Sequence, residues 1–152
     1  MQTALINDNY NLITYITDND FSLIDQEYKH QQMKQIVETS IYLFPYQLID
    51  ILEKRYIFEN TQEIISFLLL NKDLLNVLLE APYYIERVFG RVPLYLELHS
   101  DPEENWDELF IVIKTTLPAE EAVKREVQLF DLWFSNVIQK VGNRLNYTEE
   151  PL

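Results

Sequence analysis

Cysteine is absent from this sequence and glycine is scarce. Without a thiol the chain cannot form disulfides, thiolate zinc sites or a cysteine nucleophile. The two glycines, Gly90 and Gly142, are too few for a sandwich or barrel that needs many tight turns. They also cannot form a glycine-rich phosphate loop, and we expect no cofactor. These shortages favour helices joined by short polar breaks.

Basic residues and long apolar runs are also lacking. The chain has 12 Lys and Arg against 25 Asp and Glu, which gives a formal net charge of -13. A field of that sign repels the phosphates of nucleic acids and the anionic headgroups of membranes, whereas it attracts a basic protein. Apolar runs such as residues 67–70 are far too short to span a bilayer, and the amino-terminal residues do not resemble a signal peptide. We therefore expect a cytoplasmic protein whose direct partner is neither a membrane nor a nucleic acid.

The chain nevertheless has enough apolar material for one folded domain, since 47% of its 152 residues are apolar. Helix signals dominate residues 1–90. Residues 1–20 are rich in β-branched and aromatic side chains, and their pattern leaves a strand or a short helix open. Residues 22–43 predict a helix, and Pro45 suits the first position of the next one.

The predicted helix boundaries after residue 60 depend on a few capping and breaking residues. Asn60 and Glu63 match a capping box at the start of an apolar helix. Asn71 is expected to cap a second helix. Because the residue before a proline avoids helical geometry, Pro82 is expected to open a further short helix. Gly90 is placed to end that helix in the left-handed conformation.

After Gly90 the sequence predicts a β-hairpin. Residues 93–99 and 108–115 each alternate aliphatic residues with polar or aromatic ones, as half-buried strands do. An antiparallel hairpin that aligns the two aliphatic sets pairs Leu98 with Leu109. In the connection between the strands, Asp101 is suited to cap a single helical turn.

A long helix is predicted for residues 118–141. Its apolar residues recur at alternating intervals of four and three, which is a heptad-like seam. The seam consists of Val123, Val127, Phe130, Phe134, Val137 and Val141. It suits packing on the hairpin, and homodimerisation through the helix is the alternative. Residues 143–152 are polar and are expected to fray.

The predicted fold class is therefore α+β in a single domain of residues 1–152. Residues 1–90 are its mainly helical part, and residues 91–142 contain the antiparallel hairpin and the long helix. The order of the strands in the sheet is left open.

Two motifs in the last third of the chain, LELHSDPEENWDELFIVIKT and LFDLWF, are similar to those of a family of small uncharacterised prokaryotic proteins. The resemblance implies a strand, a DPEE-type loop with a tryptophan, an ELF-type strand and then a helix that contains a second tryptophan. It also implies a bacterial or archaeal origin. It implies no activity.

The connection between the two strands, residues 100–108, concentrates the acidity of the chain. It holds five carboxylates and one tryptophan but no Lys or Arg. An acidic segment with an aromatic anchor is suited to capture a surface rich in Lys and Arg. The candidate partner-binding residues are Asp101, Glu103, Glu104, Trp106, Asp107 and Glu108. The leading hypothesis is a non-catalytic interaction or regulatory protein, of an antitoxin-like kind, that binds a basic partner.

A metal-dependent hydrolase is the alternative from a different functional class. Glu97 and His99 are two residues apart on one strand face, and Asp101 would add a further oxygen ligand for manganese, iron or zinc. The sequence contains no HExxH motif and no GxSxG motif. This lack of catalytic motifs favours the interaction protein over an enzyme, and a homodimeric structural protein is the third hypothesis.

Overall fold

The computed structural model describes Gln31 and residues 45–152. Apart from Gln31, the segments predicted at residues 1–20 and 22–43 lie outside the described residues. The elements are α1 (Pro45–Arg55), β1 (Ile57–Phe58), α2 (Thr61–Leu70), α3 (Leu74–Phe89), β2 (Leu94–Asp101), β3 (Trp106–Thr115), α4 (Ala119–Leu129), a π-helical segment (Phe130–Phe134), α5 (Ser135–Val141), a 3-10 turn (Gly142–Arg144) and β4 (Leu145–Pro151).

The four strands form one mixed sheet in the order β1-β2-β3-β4. β2 and β3 are antiparallel, whereas β1 is parallel to β2 and β4 is parallel to β3. Parallel neighbours need a long crossover. Helices α2 and α3 provide it between β1 and β2, and α4 and α5 provide it between β3 and β4. The predicted α+β class is confirmed, with the correction that the hairpin is the centre of a larger, mixed sheet.

The register of the hairpin is the predicted one, with Leu98 opposite Leu109. A slip by one residue would turn the aliphatic face of one of the two strands away from the helices. That face is the sheet's contribution to the core, which it shares with the buried residues of the helices. Its fully buried members are Leu96, Leu109, Ile111 and Ile113. Both strands are longer than predicted, because β2 continues to Asp101 and β3 begins at Trp106.

Two predicted side-chain caps are wrong. Asn60 adopts the left-handed conformation, with φ 59°, and its side chain makes no capping hydrogen bond. Its carbonyl instead accepts the N–H groups of Glu63 and Ile64 at 3.1 and 3.2 Å. Asn71 ends α2 rather than capping α3, because its side-chain nitrogen donates to the Phe67 carbonyl at 2.9 Å. Asparagine tolerates the left-handed conformation better than most residues, which explains its place at Asn60.

Pro82 does not open a new helix as predicted, because α3 continues through it. Proline has no N–H to donate to the carbonyl four residues earlier, which is that of Leu78. The hydroxyl of Tyr56 donates to this carbonyl instead, at 2.6 Å. Burial raises the pKa of Tyr56, so the hydroxyl keeps its proton and remains a donor. Gly90 then ends α3 at the predicted position and has a positive φ of 77°, but its ψ of -166° is not that of the predicted left-handed helical conformation.

The last helix is not the single helix predicted for residues 118–141. A π-helical segment separates α4 from α5, and within it the Ser135 N–H donates to the Phe130 carbonyl five residues earlier. A π turn adds one residue to the helical repeat. After this insertion the predicted seam is correct, since Phe134 and Val141 are buried.

Before the insertion, the buried side of the helix lies one residue earlier than the predicted seam. Ala122, Leu129 and Trp133 are buried there. The seam residues Val123 and Val127 are 57% and 55% exposed. The predicted seam is therefore wrong in α4, and the helix presents apolar side chains to solvent on that side.

The carboxyl-terminal residues expected to fray instead form β4. Leu145 is buried at the start of this strand. Lys114 forms an ion pair with Glu150 at 2.7 Å, and the hydroxyl of Thr115 donates to the carboxylate of Glu149. These partners on β3 order a segment that is too polar to be predicted as a strand.

Strand β4 lies at the edge of the sheet, and two of its outer N–H groups are occupied by side chains. The Tyr147 N–H donates to the side-chain oxygen of Asn146 at 2.9 Å. Two residues later, the Glu149 N–H donates to the Glu126 carboxylate at 2.7 Å. After two more residues comes Pro151, which has no N–H. Because alternate residues of a strand face the same edge, these three positions leave no free N–H on the outer edge of β4 from residue 147 onward.

The contact between Tyr56 and Leu78 generates a stability prediction. Tyr56→Phe leaves a buried carbonyl without a donor, and we expect the free energy of unfolding to fall by about 1–3 kcal/mol. Urea denaturation followed by circular dichroism measures this change. Pro82→Ala restores the missing backbone N–H, so Tyr56→Phe is expected to cost much less in that background. Equal costs in the two backgrounds would show that the hydroxyl does not substitute for the proline N–H.

Candidate functional site

The hairpin tip, residues 100–108, is more ordered than the loop that the sequence predicts. Only residues 102–105 lie outside the strands, and they form a tight turn. The predicted capping role of Asp101 is confirmed, because its carboxylate accepts the N–H groups of Glu103 and Glu104 at 2.9 and 3.1 Å. Asn105 closes the turn with φ 53°. The acidic residues are thus held on a defined backbone.

Strand geometry separates the candidate partner-binding residues. Side chains alternate between the two faces of a strand, so Trp106 and Glu108 share one face of β3 and Asp107 lies on the other. Glu103 and Glu104 lie at the turn itself. The structure therefore brings these residues together at one end of the hairpin, but it does not place them on one flat surface.

The hairpin tip keeps its negative charge available. Glu103, Glu104 and Asp107 are exposed. Within residues 45–152, the ion pairs with Lys or Arg involve other carboxylates. Trp106 is 40% exposed, and its indole N–H donates to Glu104 at 3.3 Å. An exposed aromatic ring is thereby fixed beside carboxylates that have no cationic partner in the described part of the chain.

The predicted metal ligands are only partly brought together. The ring of His99 lies 3.4 Å from the carboxylate of Glu97 and packs on Phe110 with the ring centres 4.6 Å apart. The carboxylate of Asp101 is engaged by the turn. Among the residues that the structure describes, no group of three or more His, Asp or Glu side chains is arranged to hold a metal ion.

A second candidate site, which we call the β4 pocket, lies between the π-helical segment, α5 and β4. It encloses about 380 Å³ and is lined by Glu108, Glu126, Phe130, Phe134, Ile138, Gly142, Asn143, Leu145, Asn146 and Tyr147. This volume is at the lower end of the range of about 300–1,000 Å³ typical of small-ligand pockets. Phe134 packs edge-to-face on Tyr147 with the ring centres 5.0 Å apart, and Phe130 lies 6.2 Å from Phe134. The pocket therefore combines aromatic rings with carboxylate and amide groups.

The residues that line the β4 pocket carry formal charge of one sign only. Its lining contains Glu108 and Glu126 but no Lys, Arg or His. The hydroxyl of Tyr147 donates to the Glu126 carbonyl at 2.8 Å. Burial, together with the negative charges of Glu126 and Asp131, raises the pKa of Tyr147 to about 12. A cationic group in this pocket would meet no repulsion from the residues that line it.

Sequence reasoning missed the β4 pocket for two reasons. The pocket needs the π insertion, which exposes Phe130 beside the buried Phe134, and a regular heptad pattern does not reveal an insertion. It also needs β4, whose only apolar alternation is Leu145 and Tyr147. That short alternation after Gly142 is the one sequence signal that indicates a strand there.

No family model, curated protein or solved structure matches this chain. In the part of the chain from residue 45 onward, no helix is long and apolar enough to cross a membrane. The chemistry of the two sites themselves is therefore the basis for a proposed function.

The electrostatics of the hairpin tip can be tested with its own tryptophan. Trp106 is exposed and Trp133 is buried, so fluorescence quenching reports on Trp106. We expect cationic caesium to quench Trp106 more efficiently than it would quench a tryptophan at a neutral site. Anionic iodide is expected to quench Trp106 less efficiently than it would at a neutral site. Glu103→Gln with Glu104→Gln should reduce the difference, as should added salt, because salt screens exposed charges. Trp106→Phe is the control that removes the quenchable emission. Indifference to the sign of the quencher would contradict a negative potential at the tip.

Proposed function

We propose that this protein is a non-catalytic interaction protein that binds a basic protein through the hairpin tip. It would act as a regulator, or as an antitoxin-like factor that neutralises its partner. The observation that carries the proposal is the exposed Trp106 beside carboxylates that lack Lys or Arg partners in the described residues.

The electrostatics support a role in recognition. A net charge of -13 speeds the approach of a basic partner from a distance. Charges at the contact itself contribute mainly to specificity and to the association rate. Trp106 adds contact area at the centre of those charges, and tryptophan is enriched among the residues that dominate binding energy. The turn cap at Asp101 holds the group in place before binding, which lowers the entropic cost of association.

A charge-reversal experiment separates the hairpin tip from overall charge. The probe is a fluorescein-labelled nona-lysine peptide, followed by fluorescence anisotropy. Glu103→Lys with Glu104→Lys is expected to weaken binding by about tenfold, because two attractive surface charge contacts become repulsive. The matched control, Asp50→Lys with Glu53→Lys, alters two exposed carboxylates of α1. Each double variant replaces two charges of -1 with two of +1, so both change the net charge from -13 to -9.

We expect the control variant to weaken binding much less than the tip variant, and wild-type binding to fall steeply as salt rises. Equal losses in the two double variants would mean that the peptide responds to net charge alone. Binding that is insensitive to salt would equally contradict the proposal.

A homodimeric protein is the second candidate function, because the last helix exposes several apolar side chains. Val123, Val127, Phe130 and Ile138 are between 38% and 57% exposed. Multi-angle light scattering over a range of concentrations is expected to show a dimer if this side joins two copies. Val123→Asp with Val127→Asp should then give a monomer with an unchanged circular dichroism spectrum. A monomer at every concentration of the wild type would remove this candidate.

A further inference from the structure

We propose that the β4 pocket receives an arginine side chain of the basic partner. This inference rests on the proposed function and adds to it a second contact and a preference between the two basic residue types. The hairpin tip would attract positive charge, and the β4 pocket would distinguish arginine from lysine.

The charge of the pocket selects a cation. Glu108 and Glu126 are among the residues that line it, and no Lys, Arg or His is. One oxygen of Glu126 accepts the Glu149 N–H at 2.7 Å. A carboxylate has two oxygens with room for several hydrogen bonds, so Glu126 retains acceptor capacity for a ligand.

The aromatic lining selects the kind of cation. A guanidinium group is planar, is less strongly hydrated than an ammonium group, stacks on aromatic rings and presents several N–H donors in a fixed fork. Phe130 offers a 39% exposed side chain at the pocket, and Phe134 and Tyr147 lie beyond it. Asn143 and Asn146, which also line the pocket, are polar but neutral. A lysine ammonium would gain the charge but less of the stacking.

The position of the pocket connects it with the hairpin tip. Glu108 lies two residues after Trp106 on the same face of β3, and it also lines the β4 pocket. Glu108 thus belongs to both sites, and a basic segment bound at the hairpin tip lies close to the pocket. The outer edge of β4 has its N–H groups occupied, so the segment would bind through side chains rather than as an added strand.

The test compares two labelled peptides of equal charge, nona-arginine and nona-lysine, by fluorescence anisotropy. Wild-type protein is expected to bind nona-arginine roughly fivefold more tightly than nona-lysine, as one partly exposed cation–π contact allows. Phe130→Ala is expected to bring this ratio close to one. Glu126→Gln keeps an acceptor for the Glu149 N–H but removes the charge, and it should lower the ratio as well. Glu53→Gln on α1 is the control of matched charge, and its ratio should equal that of the wild type.

The hairpin-tip variant, Glu103→Lys with Glu104→Lys, distinguishes this inference from the proposed function. It should weaken both peptides while leaving their ratio unchanged. Equal binding of the two peptides to wild type would overturn the pocket assignment but not the role of the hairpin tip, whereas failure of both peptides to bind would overturn both.

An arginine-to-lysine ratio that persists in Phe130→Ala and Glu126→Gln, each shown to be folded by circular dichroism, would also overturn the pocket assignment. So would a wild-type dimer that Phe130→Ala separates, because a second copy would then cover the pocket.

Discussion

The passage of α3 through Pro82 depends on the hydroxyl of Tyr56, which donates to the Leu78 carbonyl that Pro82 leaves without a backbone partner. This bond lets α3 continue to Phe89 and serve as a support for the rest of the chain. Trp133 donates to Glu80 on α3 at 2.9 Å, and the Arg125 side chain donates to the carbonyl of Val88 near its end. Helix α3 thus fixes the position of α4 and the π-helical segment, and through them the position of the β4 pocket.

One inserted residue in the last helix has two effects on the molecule. It lets Trp133 and Phe134, which are neighbours in sequence, both be buried. It also leaves Val123, Val127 and Phe130 at the surface, where a regular helix with the predicted seam would have buried them. A π insertion interrupts the regular α-helix, and such insertions often occur at functional sites. Here the insertion creates one wall of the pocket.

The sequence predicts the elements that have a strong periodic signal. The alternation of β2 and β3 determines their pairing, Gly90 marks the end of α3, and Asp101 marks the turn of the hairpin. Prediction from the sequence fails where a residue far away in the chain satisfies a backbone group that a local rule would leave without a partner. Pro82 cannot break α3 because Tyr56, 26 positions earlier, satisfies the carbonyl concerned.

The same reasoning explains how much of the candidate site was predicted. The acidity and the aromatic residue of the hairpin tip are visible in the sequence, although the alternation of β3 divides them between two faces. The β4 pocket is not visible, because it combines a helical insertion with a strand that is ordered by polar partners. Lys114 and Glu150 are 36 residues apart, and no local pattern indicates that they pair.

The closed edge of β4 also affects how the molecule behaves at high concentration. An open edge strand offers a template on which neighbouring molecules can stack into fibrils. Along this edge of β4, Asn146 and Glu126 accept two of the outer N–H groups, and Pro151 has no N–H to offer. Crowded molecules must therefore meet there through their side chains, and their shared negative charge keeps such encounters brief.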